Sequence, residues 1–222
     1  MTELGQVVLQ GLINQDAPRA LSEGVYADVK INKRGEICVI GFYQQCSLEG
    51  RVFQVRAGAE SATETGQVVL TDTGAEMAAG CDTGLLMLPV RVHLGISDVE
   101  AGTLHEYAAK SVGTLFTVGA TAFVPLPLKL GGPASRCIAE ANDEGGVTVD
   151  NELNTTTRTH WHAANPLAEG SGHAEATYTW EPNCPPPLAG PATFYVQVAS
   201  TGTAVEYMAF FDFIELPTIN VS

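Results

Sequence analysis

An all-β fold is what the sequence predicts: a jelly-roll-like antiparallel β-sandwich over residues 36–222, preceded by an extended N-terminal arm over 1–35 with a small β-turn, and at most one short helix. Three observations predict it. Short apolar segments recur from Ile37 onward between Gly, Asn, Asp and Pro punctuation. Several alternate with period two, as in "HAEATYTW", where Ala174, Ala176, Tyr178 and Trp180 share one face and Glu175, Thr177 and Thr179 the other. No strand–helix–strand rhythm runs along the chain, so a parallel sheet is not expected.

The first 35 residues are polar, with a turn-like Ser22-Glu23-Gly24 and a basic cluster of Lys30, Lys33 and Arg34. They hold too few apolar residues to pack a core of their own and read as an arm. The cluster fits either a solvated turn or a dock onto an acidic neighbour. Strands are expected at "ICVIGFY", "RVFQVRA", "GQVVLTDT", "GLLMLPVRVHLGI", "TLFTV" and "TAFVPLPLKL". Others are expected at "SRCIAEA", "THWHAA", "HAEATYTWE", "ATFYVQVAS" and "EYMAFFDFIEL". The one helix is placed in "SDVEAGTLHEYAAKSVG", where Ser97 and Glu100 have capping-box spacing and Gly102 interrupts. Long loops are expected over 140–159 and 163–172.

The last strand raises a question. Met208, Phe210, Asp212, Ile214 and Leu216 fall on one face, and Tyr207, Ala209, Phe211 and Phe213 on the other. A strand apolar on both faces must be covered on both. The cover for Tyr207, Phe211 and Phe213 is either the rest of the sandwich or a second copy of the chain.

Composition narrows the function classes. The chain is 45% hydrophobic and only 16% charged, and 11 Lys+Arg against 25 Asp+Glu give a formal charge of -14. Such a chain repels phosphate backbones, so direct nucleic-acid binding is not expected. The N-terminus lacks the basic and apolar regions of a secretory signal, and no run approaches the ~18 apolar residues of a membrane span. No membrane partner is expected. Cys38, Cys46, Cys81, Cys137 and Cys184 are widely spaced without C-x-x-C, and read as mostly buried thiols of a reducing cytoplasm.

His160 and His162 lie at i and i+2 in "RTHWHAAN", which on a regular strand puts both imidazoles on one face, with His173 nearby in sequence. These three are the candidate metal ligands. The competing reading leaves both histidines on a solvent or interface face with Trp161 in the core; it is the preferred one, and no cofactor is expected. "NDEGG" at 142–146 and "DNE" at 150–152 lack the spacing of a calcium loop. Asp212 and Glu215 are the carboxylates to weigh as a catalytic pair, but on a regular strand they point to opposite faces. Catalysis is not expected.

Two regions resemble structural proteins of tailed bacteriophages. One is "QDAPRALSEGVYADVKINKRGEICVI"; the other is "YTWEPNCPPPLAGPATFYVQVASTGTAVEYMAFFDFIELP", with its Trp strand, Pro-rich link and final "ELP" strand. The resemblance implies a virion component assembled in the bacterial cytoplasm, and first a head decoration (cement) protein. It implies a homotrimer that binds the major capsid protein and uses an extended arm. Tyr207, Phe211 and Phe213 are then candidates for the oligomer interface, and Arg19, Lys30, Lys33 and Arg34 for capsid contacts. A neck, tail or fibre-base protein, a jelly-roll capsid protein of a tailless virus, and a carbohydrate- or receptor-binding module with Trp161 as platform are the alternatives.

Overall fold

The computed structural model describes residues 41–59, 61–68, 73–98, 104–118, 122–141, 147–149, 156–166, 176–200 and 205–218. Helix α1 (Phe42–Glu49) leads into β1 (Val52–Ala57), β2 (Glu64–Thr65), β3 (Gly74–Ala75), β4 (Met77–Cys81) and β5 (Leu85–Asp98). Then come β6 (Leu104–Val112), β7 (Leu126–Pro127), β8 (Ile138–Ala141), β9 (Val147–Thr148) and β10 (Arg158–Pro166). The chain closes with β11 (Ala176–Trp180), β12 (Leu188–Ala189), β13 (Ala192–Ser200) and β14 (Glu206–Pro217).

Two sheets form the sandwich. One has the order β11-β5-β14-β1-β7, with β12 added on β5 and β2 on β14; the other has the order β10-β6-β13-β4-β8. The strands within each sheet pair antiparallel. From β4 to β8 the strands fall alternately in the second and first sheets, with β6 between β5 and β7 in sequence but facing them across the core. This repeated crossing gives the jelly-roll-like sandwich its closed core.

β14 runs through the middle of the first sheet, between β5 and β1. Tyr207, Phe211 and Phe213 are 0% exposed and point into the core, where Phe211 meets Phe194 of β13 edge-on at 5.1 Å. The facing sheet of the same chain therefore covers them, and they offer no surface to a second copy. Their expected place at an oligomer interface is corrected: an aromatic face this complete is drawn to the largest apolar surface available, which the chain supplies itself.

The other face of β14 is covered in part by α1. Ile214 and Leu216 pack with Cys46 of the helix, Val52 and Leu86. The helix is set by its ends. Gly41 enters it in an extended conformation, and Gly50 ends it with φ 75°, its N–H donating to the Ser47 carbonyl at 3.1 Å. A Cβ on Gly50 would also lie 2.8 Å from Pro133 Cδ, so position and conformation both require glycine.

The helix is thus not where the sequence put it. Phe42 and Tyr43, expected at the end of a strand, open α1, while the span expected as helix supplies the end of β5 and all of β6. In β6, Tyr107, Ala108, Ala109, Lys110, Ser111 and Val112 are all buried, with β10 and β13 paired on either side. Alanine, glutamate and lysine favour helix locally, but two antiparallel ladders and burial on both faces outweigh propensities of a few tenths of a kcal/mol per residue.

Candidate functional site

The two carboxylates weighed for catalysis do structural work in separate places. Asp212 is fully buried; Arg91 donates to its Oδ2 from Nε at 2.9 Å and from a terminal nitrogen, while Gln54 Nε2 donates to Oδ1 at 2.9 Å. Arg91 also lies 5.1 Å over the ring of Phe210, whose ring stacks with His93 at 4.9 Å. Glu215 accepts from Ser135 Oγ at 2.6 Å and from the Arg136 backbone N–H at 2.9 Å, which fixes the entry to β8.

The histidines do not converge. His160 is the extra residue of a β-bulge between Thr159 and Trp161. A bulge resets the two-residue side-chain period. His160 therefore turns inward, within 6.2 Å of the Trp180 ring and 6.1 Å of Phe194, with Nε2 hydrogen-bonded to Ser111 Oγ at 2.7 Å. His162 faces outward and is exposed. Burial lowers the pKa of His160, favouring the neutral ring. The expectation of a shared face is corrected, and His173 lies outside the described residues. Among the described residues no group of three or more His, Cys, Asp or Glu could hold a metal ion. Trp161 packs against the core and is half-buried.

Arg19, Lys30, Lys33 and Arg34 lie outside the described residues, as do 142–146 and 150–152. Cys46, Cys81 and Cys137 are free and buried while Cys184 is exposed, so three of the four described cysteines are core thiols. Burial pushes the thiols of Cys46 and Cys81 up to about 11 and that of Cys137 higher, which leaves them poor nucleophiles at neutral pH.

One buried carboxyl carries no signal in the sequence. Glu76, between β3 and β4, is 0% exposed; it accepts from Gln67 Nε2 at 2.9 Å and from the Val198 N–H at 2.7 Å. Desolvation outweighs these two bonds and raises its pKa from 4.5 to about 7. The folded state thus holds a proton that the unfolded chain has already released. The associated stability is full below 4.5 and is lost as pH rises through about 7. It amounts to on the order of 3 kcal/mol at about 1.4 kcal/mol per pH unit. Glu76→Gln, with the Gln67 amide turned to accept, is expected to remove this slope. Urea titrations of both proteins at about pH 5 and about pH 8 check it, and equal slopes would contradict the assignment.

The surface feature that stands out is an apolar rim. From Phe123, which packs on the core, exposure alternates along the segment as far as Leu128, and Lys129, Leu130 and Gly131 follow together at an exposed turn. Val124 is 50%, Leu126 55% and Leu130 96% exposed, with Leu128 at 37%, while Pro125 between them is buried. The bridge between Phe123 and Ala139 brings Val124 across from the exposed Ile138 of β8. This segment joins the edges of both sheets, because Leu126 pairs with Gln54 of β1. The Leu128 N–H donates to the Val52 carbonyl at 2.9 Å. By antiparallel alternation the nitrogen of Pro127 points away from β1, where it has no hydrogen to offer, and Pro125 repeats the missing donor. The edge is closed to strand addition but carries aliphatic side chains for docking.

Cations gather on the same side. Arg56 is exposed next along β1, Lys129 Nζ donates to the Leu48 carbonyl of α1 at 2.7 Å, and Arg136 is exposed just before β8. None of the three makes an ion pair among the described residues, where the ion pairs are Arg51 with Glu49 and Arg91 with Asp212. The sequence carries a signal for the rim: prolines at alternate positions in "VPLPLKL" mark an edge, and the leucines between them mark its outward face.

No protein-family model matches the chain, and no curated protein matches it in sequence. Among the described residues no helix is long and apolar enough to cross a membrane.

Proposed function

We propose that this chain is a non-enzymatic structural protein of a virion: a decoration protein that binds the outer surface of a phage head as a trimer and stabilises the shell. The observation that carries this reading is the apolar rim. A filled single-chain core that still leaves Val124, Leu126, Leu130 and Ile138 at the surface fits a protein whose work is contact with other proteins. The bacteriophage resemblance of the arm and of the last strands supplies the identity of those partners. Many modest contacts multiplied by symmetry hold a shell by avidity rather than through one strong site.

In this reading the arm, with Arg19, Lys30, Lys33 and Arg34, grips the major capsid protein. Among the described residues the core begins at Cys46, and deletion of residues 2–34 is expected to leave a folded sandwich. Ordering an arm costs roughly 1–2 kcal/mol per backbone residue, which only new contacts on the shell can offset. The intact protein is expected to co-sediment with heads assembled from the capsid genes beside its own, and the truncated protein to do so poorly. A gene with no head genes around it, or an intact protein that binds no head, refutes the decorating role.

A further inference from the structure

The outer face of the first sheet carries a groove. β1 ends at Ala57, opposite Ala209, and Gly58 turns the chain back with φ 69°, where a Cβ would lie 2.9 Å from the Tyr207 carbonyl oxygen. Ala59 and Ala62 then close a tight turn by exchanging backbone hydrogen bonds. On the other side Met208 leans away from β1, its Cε against Gly95 of β5. Between them lies a cavity of about 480 Å³ lined by Arg56, Gly58, Ala59, Ser61, Met208 and Phe210. We propose that this groove binds a small ring carboxylate, with Arg56 taking the carboxylate and Phe210 and Met208 the face of the ring. The proposal does not rest on the decorating role.

Size and charge give the ligand its class. The volume falls within the roughly 300–1,000 Å³ of small-molecule sites, and the lining has their composition, mostly apolar with a few polar groups. Arg56 is exposed and makes no ion pair among the described residues, whereas Arg91, in the next row, is bound to Asp212. Arg56 is therefore the cation whose fork is open to a ligand, and a guanidinium fork matches a carboxylate with two parallel hydrogen bonds. Among the described residues no acid lines the groove, and the Glu206 carboxylate of the same strand accepts from Thr63 Oγ1 at 2.9 Å. One guanidinium beside an apolar wall suits a single negative charge on an otherwise uncharged ring.

The wall is fixed before a ligand arrives. Phe210 is held by His93, stacked on it at 4.9 Å, and by Arg91, 5.1 Å over its ring. Those two are tied in turn: His93 Nδ1 lies 3.2 Å from Thr179 Oγ1, and Arg91 Nε donates to Asp212. Arg56, Phe210, His93 and Thr179 stand in one row across β1, β14, β5 and β11. Four paired strands hold that row, so binding has little to order beyond the Arg56 side chain. A sugar acid and an aromatic acid share the required chemistry, one through its C–H face and the other through its π face.

The test titrates the full chain, followed by two-dimensional amide NMR, with D-glucuronate and benzoate as the ring acids. Acetate supplies the carboxylate without the ring, and D-glucose the ring without the charge. At least one ring acid is expected to bind with a Kd of about 1 mM, and acetate and glucose about tenfold more weakly or worse. Whichever ring acid binds more tightly tells a sugar acid from an aromatic one. Arg56→Gln is expected to weaken that binding by about tenfold without touching the fold, since Arg56 has no ion pair to lose. Ser61→Trp, at an exposed position of the turn, fills the groove and is expected to abolish binding with an unchanged circular dichroism spectrum. Should that variant fail to fold, Arg56→Gln decides alone. The assignment is overturned if neither ring acid binds by about 10 mM, or if acetate binds as tightly as they do. It is equally overturned if Arg56→Gln, or a folded Ser61→Trp, binds the ring acid as the native chain does.

Discussion

Phe211→Ala is expected to cost about 3–5 kcal/mol of folding stability, in the range for deleting a large buried aromatic. Phe211 is fully buried, edge-on to Phe194 and 6.2 Å from Phe213, so truncation opens a cavity where the two sheets meet. Such a loss is a fifth or more of the roughly 5–15 kcal/mol that holds a domain together. Phe211→Asp goes further, because a carboxylate there has no partner and no water. It is expected to yield unfolded or aggregated protein. An interface residue behaves differently: the same change leaves a folded monomer. Circular dichroism with sedimentation separates the two outcomes, and a soluble, folded, monomeric Phe211→Asp protein would return the aromatic face of β14 to an interface.

Arg91→Leu is expected to cost a comparable 3–5 kcal/mol, roughly the penalty for removing one partner of a buried ion pair. Arg91 is itself partly exposed, at 38%, but Asp212 is at 0% and keeps only the Gln54 amide once the guanidinium is gone. The loss also frees the Phe210 ring of its cation. Arg91→Leu combined with Asp212→Asn is expected to recover most of the stability, since an amide still accepts from Gln54 and carries no charge to bury. Urea unfolding of the two single variants and the double variant closes the cycle. A single Arg91→Leu loss below about 1 kcal/mol would mean that solvent already screens the pair.

Part of the rim is legible in the amino-acid sequence, and part is not. The alternation in "VPLPLKL" is a local pattern, and so is the proline spacing that makes it an edge. Its neighbours Ile138, Arg56 and Arg136 lie on other segments, and only the register of strand pairing brings them alongside. The histidine pair is the opposite case. Its i, i+2 spacing is plain in the sequence, but the bulge at His160 reverses the side to which that spacing points.

By itself, the sequence determined the all-β class and the spans of β5, β10, β11, β13 and β14, because apolar runs and two-residue alternation are local properties that burial only reinforces. It also determined that β14 needed cover on both faces. Tertiary structure alone decided what that cover is: the facing sheet on the side of Phe211, and α1 over Ile214 and Leu216. It decided that "LHEYAAKSV" is a strand, since the ladders from β10 and β13 are long-range hydrogen bonds that no local propensity encodes. The separation has one physical cause. A side chain's periodicity is written in its own segment, whereas the surface that it meets is set by strands distant in sequence, whose pairing lowers the free energy only when the whole sandwich has closed.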